Sequence, residues 1–403
     1  MFINQKYHLS YCTNIHPGED WAETFDNIEK FVPEIASKVA DGQAFGIGLR
    51  LSNVASEELG LGNTLKEFKS WLDRNNLYVY TMNGFPYGNF HREKVKDFVH
   101  HPDWTTDERV AYTIRLFKQL AFLLPKNQYG SISTNPISYK YWHGSQEQDL
   151  EQVYKVSALN YAKVIASLCE IEKETGKLLQ LSIEPEPDGL MENSTEVVSY
   201  FKQYLVPIGA DYLVSELGVD ADEAERLVYK HINVCYDVCH FSLAYEDPEY
   251  SFKTFKDAGI AIGKIQISAA LKIIFNKDEV EETWNTLSLF NESTYLHQVT
   301  EKVGDKVITY TDLPVILDRS KEFKEIRAHF HVPIFLERFG TLLSTQDQIL
   351  KVLNYLKNYE VTQHLEVETY TWGVLPTALK TNLSDSISRE LLWMKGKLTE
   401  TNA

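Results

Sequence analysis

Cysteine is scarce in this chain of 403 residues: Cys12, Cys169, Cys235 and Cys239 are too few and too scattered for a disulfide scaffold, and fit reduced thiols. Cys235 and Cys239 flank Asp237, but no second cysteine pair supports a structural zinc site, so both read as small buried hydrophobes on a strand. No run approaches the roughly 20 apolar residues that a membrane helix requires, which excludes direct membrane insertion. Positive charge is short as well. The 40 basic residues against 57 acidic ones leave a formal charge of −17, with no basic cluster, and argue against nucleic acid as a partner. The first ten residues lack the charged start and apolar core of a signal peptide, so a cytoplasmic location is expected. Phe45-Gly-Ile-Gly-Leu-Arg50 has only two glycines and leads along a strand, so no dinucleotide fingerprint is read there.

What is present is a rhythm. Short β-branched or aromatic runs alternate with longer stretches of helical periodicity, the pattern of parallel strands with crossover helices. Eight strands are predicted, near 6–13, 46–52, 77–82, 129–134, 178–184, 232–237, 262–268 and 363–369. A helix over 147–175 stops at Gly176, and Ser194, Asp220 and Ser344 are predicted amino-terminal caps. The expected fold is α/β: one (β/α)8 TIM-barrel domain over 1–403, with insertions at its mouth near 84–105 and 270–325. The second insertion has no legible structure of its own.

Carboxylates gather at the carboxyl ends of these strands. Leu181-Ser-Ile-Glu-Pro-Glu-Pro187 places Glu184 and Glu186 on one face, where prolines stop the strand. Val234-Cys-Tyr-Asp-Val-Cys-His240 follows with Asp237 and His240, a hard oxygen and a borderline nitrogen of the kind Mn, Co, Zn or Fe accept. His240 could instead hydrogen-bond a substrate hydroxyl. Glu366 and Glu368 repeat the pattern at the eighth strand, Glu368 nearer its end and Glu366 a layer deeper. Two carboxylates buried there without a cation would be costly, so a divalent metal or a neighbouring base is expected. Gln266 offers an amide oxygen as a weaker ligand. His329 and His331 suit a metal or a phosphate, or belong to an edge strand with one wetted face. Lys264 and Arg50 serve either as phosphate-binding or proton-donating groups or as internal ion pairs. Asn83, Phe85, Tyr87, Trp104, Tyr139, Trp142 and Trp372 follow strands three, four and eight, where a small-molecule pocket would be walled.

These residues are also familiar as a set. The order Glu184, Asp237-x-x-His240, Gln266, Glu368 resembles the metal-binding order of xylose isomerase-like barrels, which include sugar isomerases, epimerases and endonuclease IV. Tyr11-Cys-Thr-Asn-Ile-His-Pro-Gly-Glu19, Asn83-Gly-Phe-Pro-Tyr-Gly88, Pro102-Asp-Trp104, Ser131-Ile-Ser-Thr134, Glu184-Pro-Glu-Pro187, Cys235-Tyr-Asp-Val-Cys-His240, His329-Phe-His-Val-Pro333 and His364-Leu-Glu-Val-Glu-Thr-Tyr-Thr-Trp372 more closely resemble EboE-type metabolite traffic proteins. The resemblance implies Glu184, Asp237 and Glu368 as ligands of a divalent ion (Mn, Zn, Co, Fe or Mg), and His240 as a substrate contact or second-metal ligand. Gln266 departs from it, since many members have histidine there. The expected activity is a metal-dependent isomerase or epimerase acting on a small hydroxylated or phosphorylated metabolite. In it Glu184, Glu368, His240 and Lys264 are the catalytic candidates, and Asn83, Glu186, His240, Trp104, Trp142 and Glu366 the substrate contacts. The rival readings are a non-catalytic carrier or adaptor for a membrane prenyltransferase-like partner and, more weakly, a metal-dependent phosphodiesterase.

Overall fold

The computed structural model describes all residues except 89, 92–93, 145–146, 318–321, 376–381 and 401–403. Among the described residues all eight predicted strands are present, as Tyr7–Tyr11, Phe45–Arg50, Leu77–Asn83, Gly130–Thr134, Leu179–Ile183, Ile232–Asp237, Ile262–Ile267 and His364–Val367. From the second onward each pairs in parallel with the next. The eighth returns to the first in the register His364 with His8 to Val367 with Tyr11. A bridge between Cys12 and Gly48 joins the first strand to the second and closes the ring. The fold is therefore an α/β TIM barrel.

Strand alternation divides the side chains into two populations. Leu9, Ile47, Leu49, Ile132, Leu181, Ile183, Val234 and Ile265 belong to the apolar core that also takes in Val32 and Ile35 of the helix Trp21–Val39 and Val164 and Leu168 of the helix Glu147–Thr175. The lumen, by contrast, is polar and cross-linked. Ser131 on the fourth strand meets His364 Nδ1 on the eighth at 2.8 Å, and the Tyr80 hydroxyl on the third donates to the carbonyl of Leu365 at 3.0 Å. Lys264 and Glu366, both fully buried, form an ion pair of 2.8 Å between the seventh and eighth strands. Gly48 makes room for it: a Cβ there would land on the Glu366 carboxylate.

The helix predicted over 147–175 runs as Glu147–Thr175 and ends at Gly176 in the left-handed region (φ 68°). Asp220 caps its helix through Glu223 N at 2.8 Å, as expected. Two other caps are corrected. Asn193, not Ser194, accepts from Glu196 N, because Ser194 Oγ is turned to Glu246; Thr345 occupies the cap position at Gln346–Asn358, because Ser344 still belongs to the strand Leu342–Ser344. Cys239 is buried but lies on the helix Val238–Leu243 and not on a strand.

Both expected insertions cover the carboxyl ends of the strands. The stretch after the third strand crosses the mouth and contains a short helical turn, Lys96–His100; residues 89 and 92–93 of it lie outside the described residues. The stretch after the seventh strand, unassigned from sequence, forms an antiparallel sheet of six strands. Its order is Lys306–Tyr310, Val299–Val303, Glu325–Ala328, Leu271–Ile274, Leu342–Ser344 and Arg338–Phe339, so it extends past the predicted boundary at 325. No described helix is long and apolar enough to cross a membrane.

A helix at Leu383–Thr399 packs near the first strand and carries a buried carboxylate, Glu390, under the mouth. Glu390 accepts from Thr369 Oγ1 at 2.8 Å, Ile334 N at 3.1 Å and Trp372 Nε1 at 3.3 Å. Burial outweighs these three donors and pushes its pKa up to about 7. Two outcomes are expected. Gly48→Ala should destabilise the barrel by about 1–3 kcal/mol in chemical denaturation, as an overpacked site does; an unchanged midpoint would show that the Glu366 carboxylate moves aside freely. Glu390 holds a proton in the folded protein at pH values where the unfolded chain has lost it, so its contribution is complete below about pH 4.5 and fades as pH rises through about 7. Melting curves of Glu390→Gln between pH 5 and 8 should therefore be flatter than those of the wild type. Parallel curves refute the assignment.

Candidate metal centre

The acids at the strand ends converge. Glu184, Asp237 and Glu368 each bring a carboxylate oxygen to a point where all lie within 4.8 Å of one another, and all three residues are buried. Their backbones explain the convergence. Glu184 N is tied to the fourth strand through Thr134 O at 2.9 Å, and Glu368 N to the seventh through Ile267 O at 3.1 Å. Asp237 ends the sixth strand and caps the following helix, its Oδ1 accepting from His240 N at 3.1 Å and from Ser268 Oγ at 2.7 Å.

Glu368 is held through both oxygens, whereas Glu184 and Asp237 each keep one free for another ligand. Glu368 Oε1 accepts from Asn14 at 2.7 Å and Asn83 at 3.0 Å, and Oε2 from Gln266 Nε2 at 2.6 Å. Glu184 Oε2 and Asp237 Oδ2 are buried without a hydrogen-bond partner. His331 Nδ1 faces the Glu368 carbonyl at 2.8 Å, so its proton belongs there and Nε2, buried and unpartnered, is a lone pair. Neutral imidazole nitrogen and carboxylate oxygen are a donor set that zinc, manganese or iron accepts, and this buried, half-satisfied arrangement fits a divalent cation.

The electrostatics agree. Burial, followed by the charges of Glu368 and Asp237, pushes Glu184 well above the usual carboxylate range. Burial, then Asp237 and Glu366, does the same to Glu368. Burial works against Asp237 too, but His240, His331 and the Ser268 hydrogen bond outweigh it and hold Asp237 below its ordinary value. Burial, partly opposed by Asp237, lowers His331 to about 4, and burial carries His329 well below the histidine range, so both rings are neutral. Three like charges this close share a site comfortably only with a positive partner or with protons.

A second group of donors adjoins the first. His240 Nδ1 faces Pro185 O at 3.0 Å, and its Nε2 meets His329 Nε2 at 3.1 Å with the rings nearly perpendicular. Glu186, His240 and His329 together could hold an ion, as could Asp237, His240 and His331, or Cys239, His329 and His331. His329 and His331 are thus buried beside the carboxylates, not on a wetted edge.

Other expected residues stand elsewhere. Asn83, Phe85, Glu184, Glu186, His240, His329 and Glu368 line the pocket. Gln266 does not aim its oxygen at the trio: Oε1 accepts from Cys235 Sγ at 2.7 Å, and the amide instead fixes Glu368. Lys264 and Glu366 lie one layer below, closed on each other and fully buried, which removes them from the pocket wall. Trp104 is corrected to core packing, stacked on Tyr161 at 4.1 Å with Nε1 on Thr134; Trp142 is corrected to the outer face of the mouth loop, its Nε1 on Asp97 at 2.7 Å. Tyr87, Tyr139 and Trp372 are likewise outside the pocket lining. Arg50 donates to the carbonyls of Gly18 and Gly88 and so pins loops.

Sequence reasoning missed Asn14, His100, Gln298, Phe90, Tyr295 and Tyr370, all of which line the pocket. His100 Nε2 reaches Glu186 Oε1 at 2.9 Å, and Gln298 Oε1 faces His329 Nδ1 at 2.8 Å. Asn14 and Tyr370 sit within motifs that carried the resemblance, which is the signal that could have found them; Tyr295 and Gln298 lie in the segment without a legible pattern.

No family model matches the chain, and no curated protein matches it by sequence. Solved structures do. A xylose isomerase-like TIM barrel protein from Mycobacterium smegmatis in complex with magnesium aligns with TM-score 0.51 at 10% identity over 100% of both chains. A D-tagatose 3-epimerase-like protein aligns with TM-score 0.48 at 11% identity over 98% of this chain and 100% of its own. The IOLI protein with a bound zinc atom aligns with TM-score 0.47 at 12% identity over 98% of this chain and 99% of its own. Identity this low speaks to fold alone, and on fold the likeness to the first agrees with the closed ring of eight strands: the architecture is a TIM barrel.

Proposed function

We propose that this protein is a divalent-metal-dependent isomerase or epimerase acting on a small hydroxylated carbonyl metabolite, with Glu184, Asp237, Glu368 and His331 holding the ion. One observation carries the reading: three buried carboxylates within 4.8 Å of one another, two of which keep an oxygen without any protein partner. A bound divalent ion would supply Lewis acidity to a carbonyl and the adjacent hydroxyl oxygen.

The protein's own groups do the rest. Glu368, clamped by Asn14, Asn83 and Gln266, has one allowed orientation. Glu184 would hold the ion through one carboxylate oxygen, and the other takes the proton from the carbon bearing the hydroxyl. In an isomerisation Glu184 returns that proton to the adjacent carbonyl carbon while the hydroxyl proton passes to the carbonyl oxygen; in an epimerisation Glu368 protonates the opposite face of the same carbon. His240 lines the pocket with Nδ1 on Pro185 O and Nε2 on His329 Nε2, so a substrate hydroxyl would bind by replacing the contact between the two rings. The motif resemblance extends the reading to an EboE-type role in metabolite processing in the cytoplasm.

The test is metal content. Protein purified without added metal should carry close to one divalent ion by elemental analysis, and Glu184→Gln combined with Asp237→Asn should lose it while keeping its circular dichroism spectrum. Unchanged stoichiometric metal in the folded double variant refutes the ligand assignment.

A further inference from the structure

The pocket above the carboxylates has two unlike halves. Its floor carries Glu184, Glu186 and Glu368. Its mouth is aromatic: Phe90 lies 5.3 Å from Tyr295 and 5.4 Å from Tyr370, and those two are 5.1 Å apart, all as ring centroids. With Val95 and Val99 they form an apolar cluster separate from the main core, so their packing serves the mouth and not the barrel.

This cluster is anchored on both sides. Phe90 N donates to Glu19 at 2.9 Å, Val95 N to Thr294 O at 2.9 Å, and Glu292 accepts from Thr294 N and Tyr295 N at 2.6 and 2.9 Å. An apolar surface fixed in place at the entrance to a polar floor is an arrangement for a ligand with two unlike ends. The positive charge that a phosphate would need is not at hand. Among the described residues lining the pocket, the only lysine or arginine is Lys96, and it is spent on Asp312 at 2.6 Å. A dianion would have to approach Glu186, the floor carboxylate that the proposed ion does not use.

We infer that the substrate is an uncharged hydroxycarbonyl compound whose far end carries an aryl or branched alkyl group, seated against Phe90, Tyr295 and Tyr370, and not a sugar phosphate. The inference rests on the function proposed above, because the hydroxycarbonyl head is placed by the ion at the carboxylates. The apolar end contributes affinity by burial alone, and roughly a tenfold gain is expected for a ring-sized group.

Calorimetric titration of the metal-loaded protein with three probes sharing one head tests this: a free ketohexose, its terminal phosphate and its terminal O-benzyl ether. The benzyl ether should bind roughly tenfold tighter than the free ketose, and the phosphate no tighter than the free ketose. Tyr295→Ala should bring the ratio of benzyl ether to free ketose close to one, and Asp312→Asn, which releases Lys96, should improve the phosphate. A phosphate that binds tightest, a benzyl ether no better than the free ketose, or no binding of any probe overturns the inference. The wild-type ranking decides even if a variant fails to fold. Failure of the proposed function has a different signature, namely protein that never takes up the ion in elemental analysis.

Discussion

Mutual repulsion among Glu184, Asp237 and Glu368 is the constraint around which the rest of this structure is arranged. Three carboxylates buried within 4.8 Å of one another oppose the folded state unless something positive joins them. Three strands deliver them and three amides hold one of them still, since Asn14, Asn83 and Gln266 all donate to Glu368. The polar lumen beneath continues the same logic. Lys264 neutralises Glu366 one layer down, so among the described residues of that column the excess of negative charge lies at the top, against the pocket.

The two insertions act as walls for this excess. The stretch after the third strand supplies Phe90, Val95 and His100 to the pocket, and the stretch after the seventh supplies Tyr295, Gln298 and His329, with His331 beside the carboxylates. Neither is needed to close the ring. Both are needed to bury it, because without them Glu186 and His240 would meet water and the low effective dielectric that strengthens every charge in the site would be lost.

The parts of this arrangement written in local pattern were legible in the sequence. Leu179–Ile183 and Ile232–Asp237 are apolar runs that end abruptly in acids, and a run that ends in acids marks both a strand and its exposed end. Parity alone put Glu366 a layer below Glu368, which is where Lys264 meets it. Contacts between distant segments were not legible. Trp104 follows a strand as a pocket residue would, yet its fate is decided by Tyr161, more than fifty positions away on another helix. Gln266 looks like a ligand on its own strand and becomes a clamp only because Cys235 and Glu368 flank it. The antiparallel sheet at 271–344 pairs strands across long intervals of sequence, and short alternating segments such as Glu325–Ala328 carry no mark of their partner.

The link between Asn14 and Glu368 has a bearing on biosynthesis. These two side chains are 354 positions apart and meet at 2.7 Å, just past the carboxyl ends of the first and eighth strands of the ring. A growing polypeptide therefore exposes Glu184 and Asp237 long before their third companion leaves the ribosome, and the carboxylate trio is complete only when nearly the whole chain has emerged. Loading of the proposed ion would thereby fall at the last step of assembly, and a half-made molecule would lack one of its three carboxylates.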